Sequence, residues 1–186
     1  YFRVRGAAGR QLRFHFTGGN VLADRGPAVS TDGGRHWHWL GRQSVDGASF
    51  EYAFAEDAEE VRFCLAMPYQ LAHLKDFLEG HRQNPSLRVE SLARTKAGRR
   101  NLRVRLGCLD REPEDRVLLT CRHHSCEMMA SWALQGLMEA VLGNAEFGKR
   151  LRDRVEFLVV PMVDLDGVEN GDQGKNRRPH DHNRDY

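Results

Sequence analysis

The stretch from Arg116 to Val163 constrains the fold of this chain more than any other. "RVLLTC" is an apolar run of the length of one buried strand, "EMMASWALQGLMEAVLG" repeats apolar residues at helical spacing, and "VEFLVVPMV" is a second apolar run ended by Pro161. Strand, helix and strand in this order form a βαβ unit, two parallel strands joined by a helical crossover, so this part of the chain is α/β. The first run is expected to be a central, buried strand. In the helix, Met129, Trp132, Ala133, Leu137, Ala140 and Val141 are expected to face the core, with Gly143 as the stop.

The residues before this unit follow a different period. "QLRFHF" places Leu12, Phe14 and Phe16 on one face, "SFEYAF" does the same with Phe50, Tyr52 and Phe54, and "VRFCLA" follows; "TGGN", "DRGP" and "TDGG" are the turns. Such a pattern predicts a small antiparallel β-sandwich over residues 1–67. After Met67 and Pro68 the spacing becomes helical. "YQLAHLKDFLEG" puts Leu71, Leu74, Phe77 and Leu78 on one face and reaches Gly80, a natural stop, so the domain boundary is placed here and residues 68–186 form the second domain. In it, "LRVESLA" and "NLRVRLG" are strands on either side of the loop "RTKAGRR". Residues 30–37, "STDGGRHW", match the S-x-D-x-G-x-x-W pattern of Asp-box hairpins in sialidase propellers. One copy cannot build a propeller, and the match predicts a hairpin device. Trp37 and Trp39, two apart, are expected to share a strand face.

Composition excludes several classes of partner. Hydrophobic residues make up 40% of the 186, enough for a core, while a net charge of +2 with 29% charged residues gives no global field of the kind a nucleic-acid binder shows. The basic clusters "RTKAGRR" and "GKNRRPH" interleave no aromatic residue on which bases could stack, so no nucleic-acid partner is expected. No segment reaches the roughly 18 apolar residues of a membrane span, and no membrane partner is expected. Cys64, Cys108, Cys121 and Cys126 include no CxxC pair, which suits reduced thiols in a cytoplasmic setting. The chain opens on Tyr1 in what reads as the middle of a strand, and this leaves an upstream segment, a signal peptide included, open.

Residues 121–127, "CRHHSCE", concentrate the chemistry at the strand-to-helix junction, where open α/β sheets place ligands. His124 and Glu127, three apart at a helix start, point to one side and can chelate one zinc ion. A closed Cys2His2 site is the competing metal arrangement, but Cys121 ends a strand and Cys126 begins a helical turn, so their sulfurs are not expected to converge with both histidines. A third reading makes Glu127 an ordinary N-terminal acid favoured by the helix dipole. Downstream, Asn183 and Arg184 place an amide beside a guanidinium, a pair suited to gripping a small carboxylate in a fixed orientation.

Taken together, "HHSCEMMAS", "DLDGVENGD" and "HNRDY" resemble the zinc metallocarboxypeptidases, and most closely their cytosolic branch. "YFRVRGAAGRQLRFHF" and "FCLAMPYQLAHLKDFL" are similar to the β-domain that precedes the catalytic domain there, and "SLARTKAGRRNLRVRLG" to the family's strand pair. The resemblance implies a β-sandwich followed by the first part of an α/β/α mixed-sheet domain. It also implies a zinc cofactor (Zn2+) held by His124 and Glu127, and a peptide or protein C-terminal tail as substrate, gripped by Asn183 and Arg184. The family's third zinc ligand, general-base glutamate and substrate-capping tyrosine are expected beyond Tyr186; His180 and His182 are the local alternatives for the ligand.

The arginine with which the family polarises the scissile carbonyl falls near Gly174, and among its neighbours Lys175, Arg177 and Arg178, Arg177 is taken as the catalytic candidate. Asp164 stands where relatives carry Asn, a change expected to touch only a turn cap. Lys175, Arg177, Arg178 and Arg184 together predict a preference for acidic C-terminal residues. Two rival functions stay open: an amidohydrolase of the succinylglutamate-desuccinylase type, and a non-catalytic module that binds C-termini or sugars.

Overall fold

The structure is a computed structural model that describes residues 1–175, 177–178, 181 and 183–184. The chain divides into two compact units, Tyr1–Pro68 and Tyr69–Tyr186.

The first unit is built from β1 (Phe2–Arg5), β2 (Gln11–His15), β3 (Ala28–Ser30), β4 (His38–Trp39), β5 (Val45–Asp46), β6 (Ser49–Ala53) and β7 (Glu60–Cys64). These strands make two antiparallel sheets, in the orders β1-β7-β3-β4 and β2-β6-β5. The register sets Leu12 opposite Tyr52 and Phe14 opposite Phe50, so the alternating residues of β2 and β6 fall on one face, as a period of two requires. Around fully buried Phe63 the rings of Phe2, Phe14 and Phe50 each lie at 5.3 Å, and Val29 and Val61 fill the remaining core. Aromatic residues therefore supply most of the apolar surface that holds so small a unit together.

The hairpin device at residues 30–37 works through one carboxylate. Asp32 accepts hydrogen bonds from the backbone N–H groups of Arg35 (3.1 Å) and His36 (3.0 Å) and from the Ser30 hydroxyl (2.8 Å), and the first of these causes, the His36 N–H, holds its carboxyl far below the usual range. Trp37 lies in this turn and only Trp39 in β4, so the two do not share a strand face. The Trp37 indole N–H instead closes the turn on the Gly34 carbonyl at 2.8 Å.

The second unit carries α1 (Leu71–Gly80), β8 (Leu87–Arg94), β9 (Arg100–Gly107), β10 (Asp115–Thr120), α2 (Met128–Leu142), α3 (Glu146–Arg154), β11 (Val155–Val160) and α4 (Leu165–Asn170). Its sheet has the order β10-β11-β9-β8, with β10 and β11 parallel and the other pairs antiparallel. Val117, Phe157, Leu106 and Leu87 share one face by register, as do Leu119, Val159 and Val104. Against that face pack Leu74, Phe77 and Leu78 of α1, Met138, Val141 and Leu142 of α2, and Leu165 and Val168 of α4. The opposite face is a ladder of charge: Glu156 accepts from Arg105 (2.6 Å) and Arg116 (3.2 Å), while Glu90 pairs with Arg103.

Four sequence expectations are corrected here. β10 is an outer strand of the described sheet, and its Leu118 is 65% exposed; an apolar run has the same appearance in a central and an edge strand. The buried side of α2 is Ser131, Met138, Val141 and Leu142, while Met129 (59% exposed), Ala133, Leu137 and Ala140 face outward. This helix is apolar around most of its circumference, and spacing alone cannot select a face. The crossover contains a second helix, α3, whose polar sequence gave no core stripe. Gly80 is the last residue of α1 rather than a left-handed stop, and His81 caps the helix at φ −108°.

The strand order makes different demands on two leucines. Leu106→Ala, at a fully buried position of β9, is expected to cost about 2–5 kcal/mol, whereas Leu118→Ala on the outer face of β10 should change stability by less than about 0.5 kcal/mol. Urea midpoints of the two variants check this, and equal losses would contradict the assignment of faces.

Candidate metal and carboxylate site

The parallel pairing of β10 with β11 continues past the strands. Cys121 N–H donates to the Val160 carbonyl (3.0 Å), Val163 N–H to Cys121 O (2.9 Å) and Asp164 N–H to Arg122 O (3.0 Å). The two strand ends thus leave the sheet side by side, and the turns that follow them share one end of it. Between them the chain reverses at Arg122, a non-glycine residue at φ +63°. Its buried guanidinium donates to Tyr69 O (2.9 Å), to the Ser131 hydroxyl (3.0 Å) and to Ser125 O. Burial lowers its pKa from the ordinary arginine value, and the carbonyls that receive its protons replace the lost water.

This turn sets out His124 and Glu127. Glu127 precedes the first turn of α2, yet its side chain makes no capping hydrogen bond. Its Oε1 lies 2.8 Å from His124 Nδ1 instead, so the reading of Glu127 as an ordinary helix-start acid does not describe it. The other ring nitrogen, Nε2, lies 2.9 Å from Asp181 Oδ1. An imidazole between two carboxylates carries both protons, and the bonds to Glu127 first and Asp181 second raise the His124 pKa above the usual imidazole range. Cys121 packs at the start of α2, its sulfur 3.8 Å from the Ser131 hydroxyl; burial pushes its thiol up. Among the described residues no cluster of three or more His, Cys, Asp and Glu side chains could share an ion.

The fit to a metal follows from the donors. Nδ1 and Oε1 already face each other across one shared proton, and Nε2 is held by a carboxylate, the arrangement that fixes the tautomer of a metal-binding histidine and raises its basicity. A zinc ion would take the place of that proton, with His124 and Glu127 as two ligands of the kinds zinc prefers.

The residues after β11 close the site. Asp181 Oδ1, which holds His124, also accepts the Asn183 N–H at 2.9 Å, and Asp181 O accepts the Arg184 N–H at 3.0 Å. A single carboxylate thereby ties the His124–Glu127 pair to the residues expected to grip a substrate carboxylate, and Asn183 and Arg184 are both exposed. Asp181 escaped the sequence reading; the signal was its place between two histidines, two residues before Asn183. His180 and His182, the alternative ligands, and Tyr186 of the "HNRDY" motif lie outside the described residues.

The loop at residues 172–175 lies against the turn that carries His124 and Glu127. Ser125 donates its hydroxyl to Asp172 O (2.8 Å), and Cys126 N–H to Gln173 O (3.2 Å). Gly174 has φ +87°, and a Cβ there would stand 2.6 Å from Ser125 N, so position 174 is closed to any side chain. The Lys175 ammonium comes within 4.0 Å of Glu127 Oε1. Arg177, by contrast, is held by two carboxylates, Asp164 (2.6 Å) and Asp172 (3.0 Å). Buried Asp164 caps α4 through Gly167 N–H (3.0 Å) and also takes the Arg177 guanidinium, so an Asp at this position does more than cap a turn.

The family model of the zinc carboxypeptidases matches residues 74–186. The chain is 28% identical over 160 residues to cytosolic carboxypeptidase 3 of Bos taurus, covering 82% of this chain and 15% of that protein. It is 27% identical over 155 residues to cytosolic carboxypeptidase 2 of Mus musculus, covering 78% and 18%. A crystal structure of a metallo-carboxypeptidase from Burkholderia cenocepacia superposes with a TM-score of 0.72 at 25% identity, over 94% of this chain and 49% of that one. The chain therefore spans about half the length of that solved relative and less than a fifth of the two curated ones.

The doubly bonded imidazole has consequences on both sides of its pKa. Without metal, the bridge contributes stability that is complete below the unfolded histidine value of about 6.5 and is lost as pH rises through the raised value of His124. Zinc must displace the Nδ1 proton, so its affinity should climb over the same interval. An NMR titration of the metal-free protein should find His124 shifted upward and Asp181→Ala should bring it down; an unshifted wild-type His124 would refute the bridge.

Proposed function

The chain belongs to the zinc carboxypeptidase family, and on that premise we propose that it is part of a zinc-dependent metallocarboxypeptidase that removes C-terminal residues from peptides or protein tails. In this reading residues 1–67 are an accompanying β-domain and residues 68–186 the N-terminal part of the catalytic domain. The observation that carries it is the linked set His124, Glu127 and Asp181, with Asp181 bonded in turn to the backbone of Asn183.

His124 and Glu127 would hold the zinc. When bound, zinc supplies a Lewis acid and a water acidified toward neutrality. Asn183 and Arg184 bind and orient the free α-carboxylate of the last residue, a charge-assisted, directional grip that makes the activity an exopeptidase one. Asp181 holds His124 in one tautomer and fixes the distance between metal pair and grip. Arg177, the sequence candidate for polarising the scissile carbonyl, is engaged by Asp164 and Asp172 and acts in this reading as a positioning residue for the loop. Lys175, which already faces Glu127, is the cation best placed to meet charge developing on that carbonyl.

The reading extends to acidic C-terminal tails and a cytoplasmic setting. Its support is the similarity to the cytosolic carboxypeptidases, the free thiols of the four cysteines and the basic residues of this loop. No helix among the described residues is long and apolar enough to cross a membrane.

Zinc content and peptide hydrolysis test the proposal together. His124→Ala and Glu127→Ala should each remove bound zinc and turnover, read by elemental analysis and by release of free amino acid. Arg184→Ala should keep the zinc and lower kcat/KM on free-acid peptides by the equivalent of about 1.5–3 kcal/mol, and C-terminally amidated peptides should be poor substrates of the wild type. Equal cleavage of amidated and free-acid peptides would overturn the exopeptidase reading.

A further inference from the structure

A cavity of about 430 Å3 opens beside Asp164, between the loop that joins β8 to β9 and the segment at residues 177–178. Its size is that of an ordinary ligand pocket. It lies at the same end of the sheet as His124 and Glu127, because β9 runs antiparallel to β11 and so brings the β8–β9 turn to the end where β10 and β11 finish.

The charge of its wall is one-sided. Asp164 is taken up by Arg177 and by Gly167 N–H. Asp166 is taken up by Arg99 (2.6 Å), the Thr95 hydroxyl (2.8 Å) and Ala97 N–H (3.0 Å). Both acids are thus neutralised by Arg177 and Thr95 of the wall and by Arg99, Ala97 and Gly167 behind it. Three cations are left over. Arg94 donates only to the Gly98 carbonyl (3.1 Å), and Lys96 and Arg178 have no carboxylate partner among the described residues.

Arg94 and Lys96 sit on a braced turn. Thr95 N–H donates to Arg99 O (2.9 Å), Arg99 N–H donates back to the Thr95 hydroxyl (3.1 Å), and Asp166 pins that turn to the first turn of α4. A cationic turn braced in this way meets an anion without first losing the freedom of its own backbone.

We infer that this cleft is a second recognition site, distinct from the Asn183–Arg184 grip, that takes carboxylate side chains of an acidic peptide. The inference rests on the proposed carboxypeptidase reading for the identity of the ligand as a peptide, but its test requires no hydrolysis. It also moves the source of any acidic preference: Arg177 contributes nothing to it, and Lys96 and Arg178 contribute most.

Binding of acetyl-(Glu)3-amide and acetyl-(Gln)3-amide to the protein, measured by calorimetry, decides the matter, since a blocked C-terminus cannot use the carboxylate grip. The glutamyl peptide should bind, the glutaminyl peptide should bind at least about tenfold more weakly, and Lys96→Ala with Arg178→Ala should remove most of the difference at about two- to fivefold per charge. Rising salt should weaken the glutamyl peptide alone. Inorganic phosphate, run as a competitor, separates a site for any small anion from one for an acidic chain: displacement at equal concentration points to the former and overturns the peptide assignment. Equal affinity for the two peptides, or an unchanged affinity in the double variant, overturns the site. A failure of peptide hydrolysis would leave all these readouts intact and would count against the catalytic reading alone.

Discussion

The buried guanidinium of Arg122 is the interaction on which the rest of the site depends. A left-handed arginine costs about 1–3 kcal/mol of backbone strain, and the chain holds it because the side chain satisfies three separate pieces of structure at once: Tyr69 ahead of α1, Ser125 in the turn and Ser131 inside α2. Each of these acceptors would otherwise be a polar group with little access to water. The strained residue thus fixes the angle at which the chain leaves β10 and enters α2, and that angle decides that His124 and Glu127 meet rather than diverge. A shorter or neutral side chain at 122 would leave the acceptors unpaired and let the turn relax to an ordinary conformation, with His124 and Glu127 displaced.

Past β11 the chain is held by charge more than by apolar packing. Asp164 and Asp172 share the guanidinium of Arg177 and Asp181 takes the imidazole of His124, while in the described part of this segment Met162, Leu165 and Val168 reach the core. Such a segment is positioned precisely but is sensitive to protonation and to salt in a way that the aromatic core of the first unit is not. Here the choice of Asp over Asn at 164 acquires a physical sense. An amide could cap α4, but it would leave Arg177 with Asp172 in place of two carboxylates, and so with a weaker hold on the guanidinium.

Most of the fold was legible where one face of an element is clearly apolar and the other clearly polar. The alternation in "QLRFHF" and "SFEYAF", the strand pair around "RTKAGRR" and the buried face of α1 needed only the periods of strand and helix. The misreadings of α2, β10 and α3 share one cause, a sequence in which the period carries no contrast. α2 is apolar on several sides, so its buried face is chosen by what it packs against; β10 is a short apolar run whose position in the sheet is a matter of pairing; α3 is almost wholly polar. At the site, His124 and Glu127 were visible through their spacing. Asp181 and Arg122 were not, because a carboxylate fifty-seven residues from its histidine and an arginine that bonds only carbonyls and a hydroxyl leave no local pattern.

The strand order also explains why recognition and chemistry should lie on one edge of this unit. Parallel pairing of β10 and β11 sends both of their following turns the same way, which joins the histidine turn to the loop at 172–175 through Ser125 and Gly174. Antiparallel pairing of β9 then returns the β8–β9 turn to that edge, where Asp166 at the start of α4 can hold it. A fully parallel sheet would have carried the same basic turn to the opposite end, out of reach of Asp166. The mixed sheet therefore does more than provide a core: its one reversed strand, β9, places a cationic turn, a capped helix start and the His124–Glu127 pair around a common edge, and leaves the outer face free for the Arg–Glu ladder.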